Sequence, residues 1–546
     1  MLYLSTLLFS MFTTLTLIPI LRRYAQQIRC VDLPSARKVH DAPIPRVGGI
    51  AMAVGALIPV LLWAVKDQAA ISILIGALVI VLFGMLDDIM DLGYRAKFAG
   101  QMIAGAVVVV GGDLKIGNLD SLLPAGYLLP EWSVLLLTFL MILAVTNAVN
   151  LADGLDGLAG GIMLMSFVCI GFVAYRGQHY AIAQLAVATV GAIFGFLRFN
   201  SHPARVFMGD AGSQLLGFLA ATLLIAISRG NSPLSPFFPL LLLGLPVMDT
   251  SMVIIERLAN GRSPFKADRN HLHHKLLRLN LYHREAVFII YLLQSVMVTA
   301  AFVLRFQSQW LLLMGYLGFC TGTITLLSMA EKKGWRLERP GTIDRVIKSK
   351  LKMHVKEAGL TIKVSQAAME NGFLLVLVAA STMPAGLPGY TALVALALAA
   401  ALALAELGKP WFGDMVLRAL VYFFVPLLIY FGEQHPYSWI PQKFIIAFNL
   451  SFGVLVLFAL LTLKTTRRQS GYEASPLDFL ILFVAVVAPN LPEAGVLKSY
   501  LGFSATKIMV LFFVFEVLIG ELRGELRRIK QFAFGGLLVV AIRWVI

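Results

Sequence analysis

Residues 133–157 read SVLLLTFLMILAVTNAVNLADGLDG. An apolar run of membrane-spanning length ends here in a burst of polar side chains. Asn147 and Asn150 lie one helical turn apart, and Asn150, Asp153 and Asp156 continue the three-residue step. If the helix continues through them, the four polar side chains form one stripe at its end. Gly154 and Gly157 permit a turn or a close approach just beyond. Polar groups at the edge of an apolar span are costly unless they bind something, so the stripe is a candidate binding face.

The same alternation runs through the whole chain. Of 546 residues, 59% are apolar and 14% charged, against roughly 45–50% and 25% in soluble domains. With mean hydropathy at +0.82, the excess must face lipid. Runs of spanning length fall at 1–20, 47–65, 69–86, 98–112, 133–150, 157–175, 180–198, 213–229, 235–256, 286–304 and 309–329. The first has no basic residue before it and Arg22-Arg23 after it, the reverse of a cleaved signal peptide. A polar stretch, 331–372, follows, with ten Lys/Arg against four acids between Glu331 and Lys363. There Ile343, Val346, Ile347, Leu351 and Val355 recur at the spacing of an amphipathic surface helix. Shorter runs resume near 373–384, 389–406, 413–431, 440–463, 476–491, 503–520 and 532–545. The expected fold is an all-α polytopic membrane protein. Its core, 1–330, has eleven crossings, its linker spans 331–372, and its extension, 373–546, adds about seven helices.

Lys and Arg number 45 against 30 acids, a net charge of +15. The loops after the odd-numbered core helices carry seventeen Lys/Arg, counting Arg198 at a helix end, against five on the other side. That bias places the odd loops in the cytoplasm, and no nucleic-acid partner is needed to explain the surplus. Cys30, Cys169 and Cys320 are too widely spaced for a disulfide framework or a metal site.

Besides the 147–157 stripe, four polar clusters interrupt the core, all on that same side. The first runs from Asp32 to Gly49 and includes Lys38, His40 and Arg46. In the second, Asp87-Asp88 with Asp91 could converge on a hard cation shared with phosphate, with Lys97 and Gln101 following. The third, Gly209-Asp210-Ala-Gly212-Ser213, opens an apolar run. It offers helix-start amides to a phosphate, with a bridging cation to offset Asp210. The last sets His271, His273 and His274 among Lys266, Arg269 and Lys275. Neighbouring cations would hold these imidazoles neutral and attract anions. Without a cysteine or a well-spaced carboxylate, the loop reads as phosphate-binding rather than zinc-binding.

Through these residues the chain resembles the polyprenyl-phosphate N-acetylhexosamine-1-phosphate transferases. The matching stretches, Pro45–Gly49, Asp87–Gln101, Asn147–Gly161, Phe207–Gly217 and Arg262–His274, occur in the family's order across about 1–330. The resemblance implies that a lipid phosphate attacks the β-phosphorus of a UDP-amino sugar and releases UMP, with Mg²⁺ or Mn²⁺ required. It implies catalytic roles for Asp87, Asp88, Lys97 and Asp210, and metal contacts for Asp210, Asn150 and Asp87. Lys38, Asn147, Asn150, Asp153, Asp156, Arg269, His271, His273 and His274 would contact substrate. The His-Leu-His-His loop and Ala211 look like the GlcNAc branch, with undecaprenyl phosphate as acceptor. Another UDP-HexNAc, or UDP-MurNAc-pentapeptide, is the alternative donor. The implied setting is the bacterial inner membrane, multi-pass, with the site on the cytoplasmic face. A homodimer, and polysaccharide-assembly partners met through 331–546, are the protein partners considered.

The rival class is a secondary transporter. Its ionisable groups should sit near mid-bilayer within an internal repeat, whereas here they gather at helix ends on one side and no repeat relates the halves.

Overall fold

Within a bilayer no water satisfies the backbone, so each apolar run closes its own hydrogen bonds as a helix. The computed structural model describes residues 2–33, 43–63, 67–117, 129–229, 232–261, 270–335, 364–407, 410–434, 438, 440–465, 497–522 and 526–545. The chain divides into two compact units, Met1–Glu338 and Arg339–Ile546.

The first unit is built from α1 (Leu2–Tyr24), α2 (Gly48–Trp63), α3 (Gln68–Met90), α4 (Tyr94–Ala106), α5 (Glu131–Ala152), α6 (Leu158–Arg176) and α7 (Tyr180–Asn200). It continues with α8 (Gly209–Ile227), α9 (Phe238–Leu242), α10 (Gly244–Ala259), α11 (Leu272–Arg278), α12 (His283–Leu304) and α13 (Gln309–Lys332). Each expected core run is largely helical over its described residues. The run at 98–112 is α4 extended by a π turn to Gly111, and that at 235–256 is α9 and α10 broken at Leu243. Eight of these helices, α1, α3, α5, α6, α7, α8, α12 and α13, are each long and apolar enough alone to cross a membrane. The protein is a multi-pass, all-α membrane protein.

Helix α8 is the axis of this unit, with Ala211 through Ile227 all buried. Small residues let its neighbours approach. A Cβ on Gly84 of α3 would lie 2.5 Å from Ala211 Cα, and one on Gly49 of α2 would lie 2.2 Å from the Gly212 nitrogen. A short antiparallel pair, β1 (Val31–Asp32) with β2 (Ile44–Pro45), was not expected from the sequence. Its Pro45 carbonyl accepts the Phe207 N–H (2.8 Å), and the Phe207 carbonyl accepts the Gly48 N–H (3.0 Å). These bonds fix the segment that leads into α8.

Described helices of the second unit are Val364–Thr382, Gly389–Leu407, Phe412–Gln434, Gln442–Thr465, Leu497–Glu521 and Arg527–Val545. The first begins at Val364, inside the stretch expected as linker to 372, because one face is already packed. Ser365, Met369 and Phe373 are buried, and Gln366 donates to Glu521 Oε2 (2.8 Å). The run expected at 476–491 and the amphipathic spacing at 343–355 lie outside the described residues.

Candidate functional site

The cluster forms where α3, α4, α5 and α8 bring their polar ends together. Lys97, in the first turn of α4, places its Nζ 2.7 Å from Asp87 Oδ2 and 2.7 Å from Asp210 Oδ2. Asn150, in the last turn of α5, donates from Nδ2 to Asp210 Oδ1 (3.1 Å) and to Ser213 Oγ (2.8 Å). Asp87 is buried, and among the described residues its Oδ1 has no hydrogen-bond partner. One turn along α4, Gln101 donates to Gln214 Oε1 (3.1 Å) and accepts from Asn147 Nδ2 (2.8 Å). Asn147 thus belongs to an amide network that supports the acids.

Asp88 has a different place from its neighbour. Its Oδ1 accepts the Asp210 N–H (2.9 Å) and its Oδ2 accepts the Ala211 N–H (3.1 Å), so a carboxylate of α3 caps α8. Arg46, which is paired with Asp32, stands 4.0 Å from Asp88 Oδ1. This corrects one expectation: the first amides of α8, where the sequence suggested phosphate, are taken by Asp88, whose carboxylate seats the backbone of Asp210. Gly209 makes the seat possible. It has φ +70°, and a Cβ there would lie 2.4 Å from Asp88 Oδ2. Asp91 does not join the cluster, because it is the exposed left-handed cap of α3.

The stripe expected along α5 also divides. The helix ends at Ala152, and the backbone turns at Asp153, where φ is −80° and ψ is 59°. Burial and the nearby carboxylates of Asp210, Asp156 and Asp88 push Asp153 up to about 7. Asp156 turns away to a separate group. Its Oδ2 lies 2.7 Å from His202 Nδ1 and accepts the Ala204 N–H (3.0 Å). Burial alone would raise its pKa, but these bonds outweigh it and hold the group below the usual range. His202 stacks on His283 with centroids 4.0 Å apart. Asp156, His202 and His283 are also close enough together to ligate a metal. His202, His283 and Gln214 were missed as site residues, and Asp32 was seen only as the start of the first cluster. Gln214 could have been found four residues after Asp210 on one helix face.

A cleft of about 1100 Å³ opens beside this constellation, its wall including Asn150, Asp153, Asp156, Asp210 and His274. The histidine loop is less uniform than expected. His274 lines the cleft, while His271 and His273 are buried. Burial first, then the neighbouring His274 and His271 rings, drop His273 to about 3, so burial and not a surround of cations keeps it neutral. Lys275 is paired with Glu256 (2.5 Å). Lys38 and Arg269 lie outside the described residues.

Residues 70–228, from α3 through α8, match the family model described as Glycosyl transferase family 4. By fold and by this match the chain is a multi-pass membrane transferase. Over 304 residues it is 36% identical to a probable undecaprenyl-phosphate N-acetylglucosaminyl 1-phosphate transferase of Bacillus subtilis (strain 168), a match covering 55% of this chain and 85% of the relative. It is 32% identical over 350 residues to the undecaprenyl-phosphate alpha-N-acetylglucosaminyl 1-phosphate transferase of Escherichia coli (strain K12), covering 60% and 90%. A decaprenyl-phosphate N-acetylglucosaminephosphotransferase of Mycolicibacterium smegmatis (strain ATCC 700084 / mc(2)155) is 35% identical over 306 residues, covering 50% and 74%. The chain belongs to the polyprenyl-phosphate N-acetylhexosamine-1-phosphate transferase family.

Proposed function

We propose that the protein transfers GlcNAc-1-phosphate from UDP-GlcNAc to undecaprenyl phosphate, at the cytoplasmic face of the bacterial inner membrane, to start a cell-envelope polysaccharide. The observation that carries this reading is Lys97 bridging Asp87 and Asp210 at helix ends beside a wide cleft. The relatives' names favour GlcNAc over the UDP-MurNAc-pentapeptide alternative.

In the transfer an oxygen of the lipid phosphate bonds to the β-phosphorus of the donor. The bond from that phosphorus to the bridging oxygen breaks, and the oxygen leaves on UMP. The lipid phosphate is already an anion at neutral pH, so positioning and charge stabilisation matter more than a base. Asp87, Asn150 and Asp210 form an oxygen-rich set suited to Mg²⁺ or Mn²⁺. Two observations support this fit: the Lys97 ammonium already stands between two carboxylates, and the buried Asp87 Oδ1 has no hydrogen-bond partner among the described residues. Bound there, a divalent cation would supply positive charge to the phosphate oxygens of the departing UMP. Lys97 adds a second positive charge, His274 offers a ring nitrogen at the cleft wall, and Asp88 holds the start of α8 still. Asp153 and Asp156 line the proposed nucleotide side, with Arg269 and Lys38 as further proposed substrate contacts, while His271 and His273 stand behind His274.

Purified protein given UDP-GlcNAc, undecaprenyl phosphate and Mg²⁺ should release UMP, and omitting any one should stop it. Absence of UMP with all three present would refute the reading. Orientation is tested by single cysteines at 274, on the cleft wall, and at 332–363, which an impermeant maleimide should reach from the cytoplasmic side. Labelling from outside would invert the topology.

A further inference from the structure

We propose that Asp249 of α10 is a positioning residue for the transferase site, fixing the proton on His271 Nδ1 and the start of the histidine helix α11. The functional half of this rests on the transferase reading. Asp249 belongs to none of the polar clusters seen in the sequence; it lies within an apolar run. It is 6% exposed, as is His271. Its Oδ2 lies 2.9 Å from His271 Nδ1, and its Oδ1 accepts the Leu272 N–H at 2.6 Å.

Both bonds point to one assignment. An ionised carboxylate only accepts hydrogen bonds, and a buried one requires donors. His271 Nδ1 therefore carries a proton. In the neutral ring Nε2 holds the lone pair and can accept a hydrogen bond; in the charged ring it donates, and Asp249 balances the charge. The Leu272 bond acts on the backbone at the same point, setting the direction in which α11 leaves.

The effect reaches the cleft along a row of rings. His271 lies parallel to His273, with centroids 5.8 Å apart and planes 10° apart. His273 meets His274 at 4.2 Å, and His274 is on the cleft wall. The far side of His273 is closed by α5's outgoing turn, since a Cβ on Gly154 would lie 2.3 Å from His273 Nε2. One carboxylate thus anchors the end of the row remote from the cleft.

Asp249→Asn is the test, made in the full chain in detergent. The amide can still accept the Leu272 N–H, but it turns an NH₂ toward His271 and drives the ring proton to Nε2. The kcat for UMP release should fall about 10- to 100-fold, taking as a guide the loss seen when the partner of a metal-ligating histidine is removed. KM for UDP-GlcNAc should stay within about threefold. The double variant with His271→Gln should be no worse than His271→Gln alone, because Asp249 acts through that ring. Unchanged kcat, or losses that add, would overturn the proposal. A second readout is independent of activity and of any variant at position 249. In ¹⁵N-histidine-labelled protein, the His271 signals, assigned by their loss in His271→Gln, should show a protonated Nδ1. A bare Nδ1 would overturn the assignment even in a sample that releases no UMP, a failure that would count against the transferase reading alone.

Discussion

Lys97 holds two carboxylates at once, 113 positions from one of them along the chain. That arrangement lets Asp87 and Asp210 face each other without the repulsion their proximity would otherwise bring. Asp210→Asn preserves shape and removes one charge. UMP release should fall more than about 100-fold, while the melting temperature in detergent shifts by only a few degrees. Near-normal turnover at saturating Mg²⁺ would remove Asp210 from the metal set. His273 makes a second prediction, about acid. Its folded pKa, about 3, lies below the ordinary value of about 6.5. Between those values the unfolded chain binds a proton that the folded chain does not, so stability falls as pH drops below about 6.5. From pH 7 to pH 5 the loss should reach about 2 kcal/mol. His273→Asn should remove that increment, which thermal unfolding at the two pH values would reveal.

At the scale of elements, the start of α8 depends on a side chain from α3. Asp88→Ala leaves the buried Ala211 amide and the part-buried Asp210 amide without their acceptor, at about 1–3 kcal/mol for the buried one and less for the other. Melting temperature and activity should drop together, with Asp88→Asn intermediate because one oxygen remains. Intact stability in Asp88→Ala would show that the cap is dispensable. The rods themselves were legible in the sequence, since length and hydropathy alone decide a spanning helix. The partners at their ends were not. The period along Asn147, Asn150, Asp153 and Asp156 suggested one stripe. The helix stops at Ala152, and the next segment is held by long-range bonds, including that from the Gly157 N–H to Asn200 Oδ1 (2.8 Å). No local spacing encodes a partner 43 residues away. Asp249 was hidden for another reason: it is a lone acid in an apolar run, outside every polar cluster, although such an acid is itself a signal.

For the whole molecule, the alignments cover 85–90% of the Bacillus and Escherichia relatives but 55–60% of this chain. The described acids, lysine and histidines of the proposed site all lie in the first unit. A protein ending near Lys333 should keep sugar-1-phosphate transfer, with some loss of stability, and lose whatever the remainder recruits from the membrane surface or from polysaccharide-assembly partners. A folded truncation without UMP release, rescued by supplying 334–546 in trans, would place the second unit in the catalytic machinery. Helix α13, the last of the first unit, buries Leu312 and Tyr316 and leaves most of its 24 residues on the outside. A border so lightly embedded is a natural seam for gene fusion. Sequence joined after it can be gained, exchanged or lost over generations without selection having to rework the enzyme's interior.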